Sequence, residues 1–241
     1  MSNPAKEKVI VALDVPDRAA AENRLQQLTG LVDRVKIGLQ LFIAEGPAIV
    51  QSARAAGFSV FLDLKLHDIP HTVACAVESA VRLEVEFLTV HTLGGPAMLH
   101  AAAEAARGSS LRLLGVTLLT SMDVPQAQAI GLPIGSPGST ADSENPLADH
   151  VSRLAAMAAA NGLPGAVASP WETARLRQER GPDFALVIPG IRPPGAPAGD
   201  QKRIMTPAQA LHAGATHLVM GRPLLQAPDP AAVLQAINAS L

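Results

Sequence analysis

The chain has 241 residues, 48% of them apolar and only 17% charged, with a formal net charge of −2. That composition supports one large core and excludes the overall basic field that would draw nucleic acid or an anionic membrane, so an anionic ligand has to be held by a few local groups. A single cysteine, Cys75, excludes a disulfide scaffold and a cysteine-rich zinc site, and no stretch approaches the ~18 apolar residues of a membrane span.

Short runs rich in Val, Ile and Leu recur along the chain. VIVALD (9–14) is the first, after an N-terminus whose short apolar run soon meets an acid, which leads us to expect a cytoplasmic protein. RVKIG (34–38), VFLDLK (60–65) and FLTVH (87–91) follow, then LLGVTLL (113–119), GAVAS (165–169), FALVIPG (184–190) and THLVMG (216–221). Between them lie alanine-rich segments such as DRAAAENRLQQLTG, PAIVQSARAAG, TVACAVESAVRL and PAMLHAAAEAARG, with apolar spacing near the helical period and frequent terminal glycine. Eight strand-helix units in a chain of 241 residues predict a parallel α/β fold closed as a (β/α)8 TIM-type barrel, a single domain over 1–241. Two segments break the rhythm: 131–145, rich in turn formers and read as a surface loop, and 190–203, a Pro/Gly-dense loop read as a functional lid. Cys75 is expected to be a small buried hydrophobe and Trp171 to serve packing.

In such barrels the reactive site lies at the carboxyl ends of the strands. Asp14 ends the first strand, Lys36 lies in the second opposite Val35 and Ile37, and Asp63 and Lys65 end the third. Strand side chains alternate between faces, so Leu62, Leu64 and Leu66 share one face while Phe61, Asp63 and Lys65 share the other. Burying these charges is costly unless they are paired or used. Thr89 and His91 end the fourth strand, and Thr120 and Ser121 follow the fifth, converging on the same mouth. At the far end of the chain, Arg192 and Gln201 flank the loop after the seventh strand and Gly221–Arg222 follows the eighth, where barrels of this kind grip phosphate. The seven histidines contain no zinc-like pair; His91 is read as a hydrogen-bonded structural residue, and His100, His150 and His212 as surface residues.

FLDLKLHDIPHT, with ALD at the first strand, VKIG at the second, VTLLTS at the fifth, PGIRPPGAPAGDQKRIMTP and VMGRPL, closely resembles the orotidine 5'-monophosphate decarboxylase family from about residue 9 onward. The resemblance implies decarboxylation of orotidylate to uridylate and CO2 in de novo pyrimidine synthesis, with no cofactor and no metal. It implies Lys65 as proton donor to C6 within a Lys36–Asp63–Lys65–Asp68 array. Asp68 and Thr72 would be given to the neighbouring subunit of a homodimer. Asp14 and Lys36 would contact the ribose, Thr120 the pyrimidine, and Gln201, Arg222, Gly221 and Arg192 the phosphate and its lid. One departure is His71, where the family often has asparagine; the other is the composition of 131–145. Two other readings compete. A metal-dependent sugar-phosphate aldolase or decarboxylase of the same barrel group would use Asp63 and Asp68 for magnesium, but the cation Lys36 disfavours a divalent metal nearby. A noncatalytic phosphate-ligand sensor would leave the converging lysines and aspartates unexplained.

Overall fold

The computed structural model describes residues 4–134, 145–193 and 204–240. Eight parallel strands close into a barrel in sequential order. They are β1 (Val9–Ala12), β2 (Arg34–Gly38), β3 (Ser59–Leu66), β4 (Phe87–His91), β5 (Arg112–Val116), β6 (Gly165–Val167), β7 (Ala185–Ile188) and β8 (His217–Met220). Val9 of β1 pairs with Leu218 of β8, which leaves no free sheet edge.

Alternation along the strands sorts the apolar residues into two layers. Ile10, Ala12, Phe61, Phe87, Leu114, Ala185, Val187 and Val219 fill the barrel interior. Their strand neighbours, such as Val11, Val35, Ile37, Leu62, Leu88 and Leu218, face the surrounding helices and join the larger outer core. The narrow barrel needs small residues on β6: a Cβ on Gly165 would lie 2.6 Å from the Ala185 carbonyl oxygen.

Local chemistry marks the helix starts. Asp17, Asp123, Asn145, Thr206 and Asp229 cap helices with their side chains, and Asp123/Gln126 and Thr206/Gln209 form reciprocal capping boxes. A short helix not expected from the sequence, Pro4–Lys8, precedes β1 and is tied down by Ala5 N donating to Asn238 Oδ1 at 3.1 Å.

The strand-helix alternation matches the sequence reading, although several strands end earlier than the apolar runs that announce them: β5 stops at Val116 and β1 at Ala12. Three side-chain expectations are corrected. Cys75 is exposed, because Val73, Val77 and Ala80 set the buried stripe of helix Pro70–Arg82 and Cys75 points away from it. Trp171 is 59% exposed, since the turn Pro170–Glu172 buries Pro170 and Glu172 and turns the residue between them outward. His150 is buried, being in line with Leu154 and Ala158 on the inner face of helix Pro146–Ala160. His100 and His212 are exposed as expected.

Candidate active site

The site grows out of an irregularity in β3. Leu62 pairs with Leu88 and Leu66 with Val90, so β3 spends four residue steps where β4 spends two. The inserted stretch contains Lys65, whose φ of 50° is in the left-handed region. A non-glycine residue held there costs on the order of 1–3 kcal/mol, so its surroundings must fix it. Thr89, fully buried on β4, does so: its Oγ1 accepts from Lys65 N at 2.8 Å and donates to Asp63 Oδ1 at 3.0 Å. Because the insertion is of even length, alternation survives, and Leu64 and Leu66 still pack on the outer core.

On the inner side the charges form one line across three strands. Lys65 Nζ lies 2.8 Å from Asp63 Oδ1, Lys36 Nζ 3.3 Å from Asp63 Oδ2, and Lys36 Nζ 3.5 Å from Asp14 Oδ1. The order is therefore Asp14–Lys36–Asp63–Lys65, each charge flanked by its opposite. The Lys36 and Asp63 side chains are 12% and 13% exposed, whereas both ends of the line are open, Lys65 at 32% as its cationic end and Asp14 at 58% as its anionic one. Burial by itself would raise the Asp63 carboxyl, but Lys36, Lys65 and the hydrogen bonds from Lys65 and Thr89 outweigh it and hold the group below the usual carboxylate range. Two glycines leave room for this line: a Cβ on Gly38 would come within 3.1 Å of Lys36 Nζ, and one on Gly221 within 3.3 Å of Asp14 Oδ2.

Asp68, expected in the array, is not in it within one chain. It is exposed just beyond β3, and its Oδ1 accepts from Ile69 N at 2.7 Å. Thr72 is also exposed, on the first turn of helix Pro70–Arg82. Thr120 is half-buried in the loop after β5. Arg192 is buried directly after β7, its guanidinium donating to Ile191 O at 2.9 Å, and a parallel bridge between Ile191 and Met205 joins the two ends of the following segment. Arg222 is exposed at the start of Arg222–Leu225, following Gly221 at the end of β8. Gln201 lies outside the described residues, as do most of the two segments 131–145 and 190–203.

His67, for which the sequence suggests no partner, has one. Its ring stacks on His91 with centroids 5.4 Å apart, and His91 Nδ1 accepts from Leu93 N at 3.3 Å. Burial, then His67 and Lys65, push His91 down to about 4, so it is neutral at pH 7. A histidine two residues after the lysine carries no pattern in the sequence that would reveal this stacking. Lys36, held between the Asp14 and Asp63 carboxylates, is a cation where a metal bound by those acids would have to sit, so the acids do not fit a divalent metal at this position. What the array offers is a fixed ammonium at one of its open ends, backed by a hydrogen-bonded carboxylate.

Comparisons with known proteins agree on a relationship. The model of the orotidine 5'-phosphate decarboxylase / HUMPS family matches residues 7–237. Orotidine 5'-phosphate decarboxylase of Moorella thermoacetica is 46% identical over 98% of this chain and 93% of its own. The enzyme of the same name from Hydrogenovibrio crunogenus is 48% identical over 97% of this chain and 95% of its own. Among solved structures, orotidine 5'-phosphate decarboxylase from Lactobacillus acidophilus superimposes with a TM-score of 0.79 at 34% identity, covering 97% of this chain and 98% of that one.

Proposed function

The chain belongs to the orotidine 5'-phosphate decarboxylase / HUMPS family, and we propose that its Asp14–Lys36–Asp63–Lys65 line performs the decarboxylation of orotidine 5'-monophosphate with Lys65 as proton donor. The activity that goes with its relatives is that of a carboxy-lyase yielding uridine 5'-monophosphate and CO2 in pyrimidine biosynthesis.

Breaking the bond between C6 and the carboxylate leaves an electron pair in an orbital in the plane of the ring, where the π system cannot delocalise it. Stabilisation has to be electrostatic. The observation that carries the reading is the Lys65 ammonium, fixed at 2.8 Å from Asp63 at the cationic end of a line whose charges alternate in sign and are balanced only when Lys65 is counted. Such a group needs no solvent reorganisation when charge appears at C6. Lys65 then gives its proton to C6, forming the C–H bond of the product, and the neutral amine regains a proton from water. Asp63 keeps the ammonium aimed throughout.

Asp14 and Lys36 would hold the ribose and Thr120 the pyrimidine. Arg222, Gly221, Arg192 and Gln201 would bind the phosphate, whose binding energy, remote from C6, is used to close and desolvate the site. Asp68 and Thr72, exposed and outside the array, would complete the site of a second copy in a two-fold homodimer. Support comes from the apolar side chains left open on the β2 and β3 connections: Leu39 at 48%, Ile43 at 78% and Ile69 at 66% exposed. We place the enzyme in the cytoplasm, with the nucleotide as its small-molecule partner and no cofactor.

The test is conversion of orotidylate to uridylate by purified protein after exhaustive chelation. Full activity is expected. Loss on chelation that magnesium restores would favour the metal-dependent sugar-phosphate chemistry of related barrels instead.

A further inference from the structure

The opposite end of the barrel also gathers charge, with cations in excess. Strand alternation places Arg34 two residues before Lys36, Arg112 two before Leu114, and His217 two before Val219, so all three point inward at the amino-terminal floor. Arg112 and His217 meet around Phe87. The Arg112 guanidinium carbon lies 5.3 Å from the centre of that ring, and the His217 ring centroid lies 5.3 Å from it, edge to face. Lys8, at the end of the helix Pro4–Lys8, adds a third cation that bears on His217 with Arg34 and Arg112. The carboxylates nearby are taken up already, Glu86 by Arg34 at 2.8 Å and Asp33 by Lys6 at 3.4 Å. Among the described residues neither Arg112 nor Lys8 has an ion-pair partner, although both are partly buried. Partly desolvated cations crowded around an imidazole, with the neighbouring carboxylates paired elsewhere, leave a positive field that a counter-ion would relieve.

We propose that this floor is a second anion site, separate from the reaction mouth, which takes a small tetrahedral oxyanion such as inorganic phosphate between Arg112, Lys8 and His217. Its size follows from its cover. The helix Pro4–Lys8 lies across the floor, with Arg34 donating to the Glu7 carbonyl at 2.9 Å and Asp33 N donating to the Lys6 carbonyl at 3.2 Å. A small ion, rather than a nucleotide, is the class of ligand that such a cover would admit. Occupancy would tie the N-terminal helix to the barrel and stabilise the folded chain by mass action. The site also accounts for His217, which burial and the three cations push down to about 4 and which has no part in the reaction.

The experiment follows the ring-proton NMR signal of His217, assigned by its loss in His217→Gln, as inorganic phosphate replaces chloride at constant ionic strength. A signal at the floor distinguishes this site from any anion held at the mouth. The expected result is a saturable shift in the wild-type protein, with affinity at least about tenfold weaker in Arg112→Gln and kcat/KM for decarboxylation unchanged. Lys8→Gln, on the helix outside the barrel, is the second variant and should weaken phosphate in the same direction. A shift that chloride reproduces, or that never saturates, would mean screening alone and overturn the proposal. Unchanged affinity in whichever variant folds would overturn it equally.

Discussion

Lys65 and Asp63, two residues apart on one strand, join ammonium to carboxylate at 2.8 Å where the Lys65 backbone adopts a φ of 50°. In a regular strand their side chains would stand parallel on the same face and lean along it. The Thr89 hydroxyl, bonded both to Lys65 N and to Asp63, holds this conformation and the carboxylate together.

Thr89→Val should therefore reduce activity without touching a charged group. It keeps the shape but removes the acceptor for Lys65 N and the donor to Asp63, leaving a partly buried N–H unsatisfied at a cost of about 1–3 kcal/mol. We expect kcat to fall about tenfold or more with a lowered urea midpoint, and Thr89→Ser to restore most of kcat. Equal loss in both variants would show that the methyl group, not the hydroxyl, matters.

Arg222→Ala should lower kcat/KM for orotidylate by roughly a hundredfold or more, yet change the much slower reaction of orotidine, which lacks the phosphate, by less than about threefold. Steady-state assays on both substrates make the comparison. A matching loss on orotidine would place Arg222 at the ring or in the fold.

Subunit exchange tests the role of Asp68. Lys65→Ala and Asp68→Asn homodimers should each be nearly inactive. Mixed in equal amounts and allowed to exchange, about half the dimers become hybrids in which one site keeps both groups, so roughly a quarter of wild-type activity should return. Exchange demonstrated by mass spectrometry without recovered activity would mean that both groups act within one chain.

Acid should destabilise the fold through His91 and His217, each lowered from 6.5 to about 4 by burial and by neighbouring positive groups. A histidine with a depressed folded value binds fewer protons folded than unfolded between pH 6.5 and 4. Its contribution is thus fully present above 6.5 and is lost as pH falls towards 4. Urea titrations in phosphate-free buffer should show that His217→Gln removes on the order of 2 kcal/mol of the difference between pH 7 and pH 4.5. A pH dependence identical to wild type would count against the depressed value.

The barrel and the faces of its charges are legible in the local pattern of residues. Apolar runs alternating with helical spacing specify parallel strands packed under helices, and the strict period of two puts Lys36, Asp63 and Lys65 on the inward side regardless of where the strands lie. Arg34, Arg112 and His217 obey the same rule, but their meeting at the floor depends on barrel closure, which sets strands distant in sequence around one axis. Closure likewise put Gly221 of the last unit against Asp14 of the first, and made Asp14 rather than Asp68 the end of the charge line within one chain. The extra residues in β3 and the turn at Lys65 were invisible for a further reason. Such an insertion of even length preserves alternation, so the pattern of polar and apolar residues is the same with it or without it. The exposure of Cys75 and Trp171 and the burial of His150 depended on helix phase and docking, which a single residue's polarity does not encode. Local periodicity chooses which face a side chain takes, and only the tertiary contacts decide what it finds there.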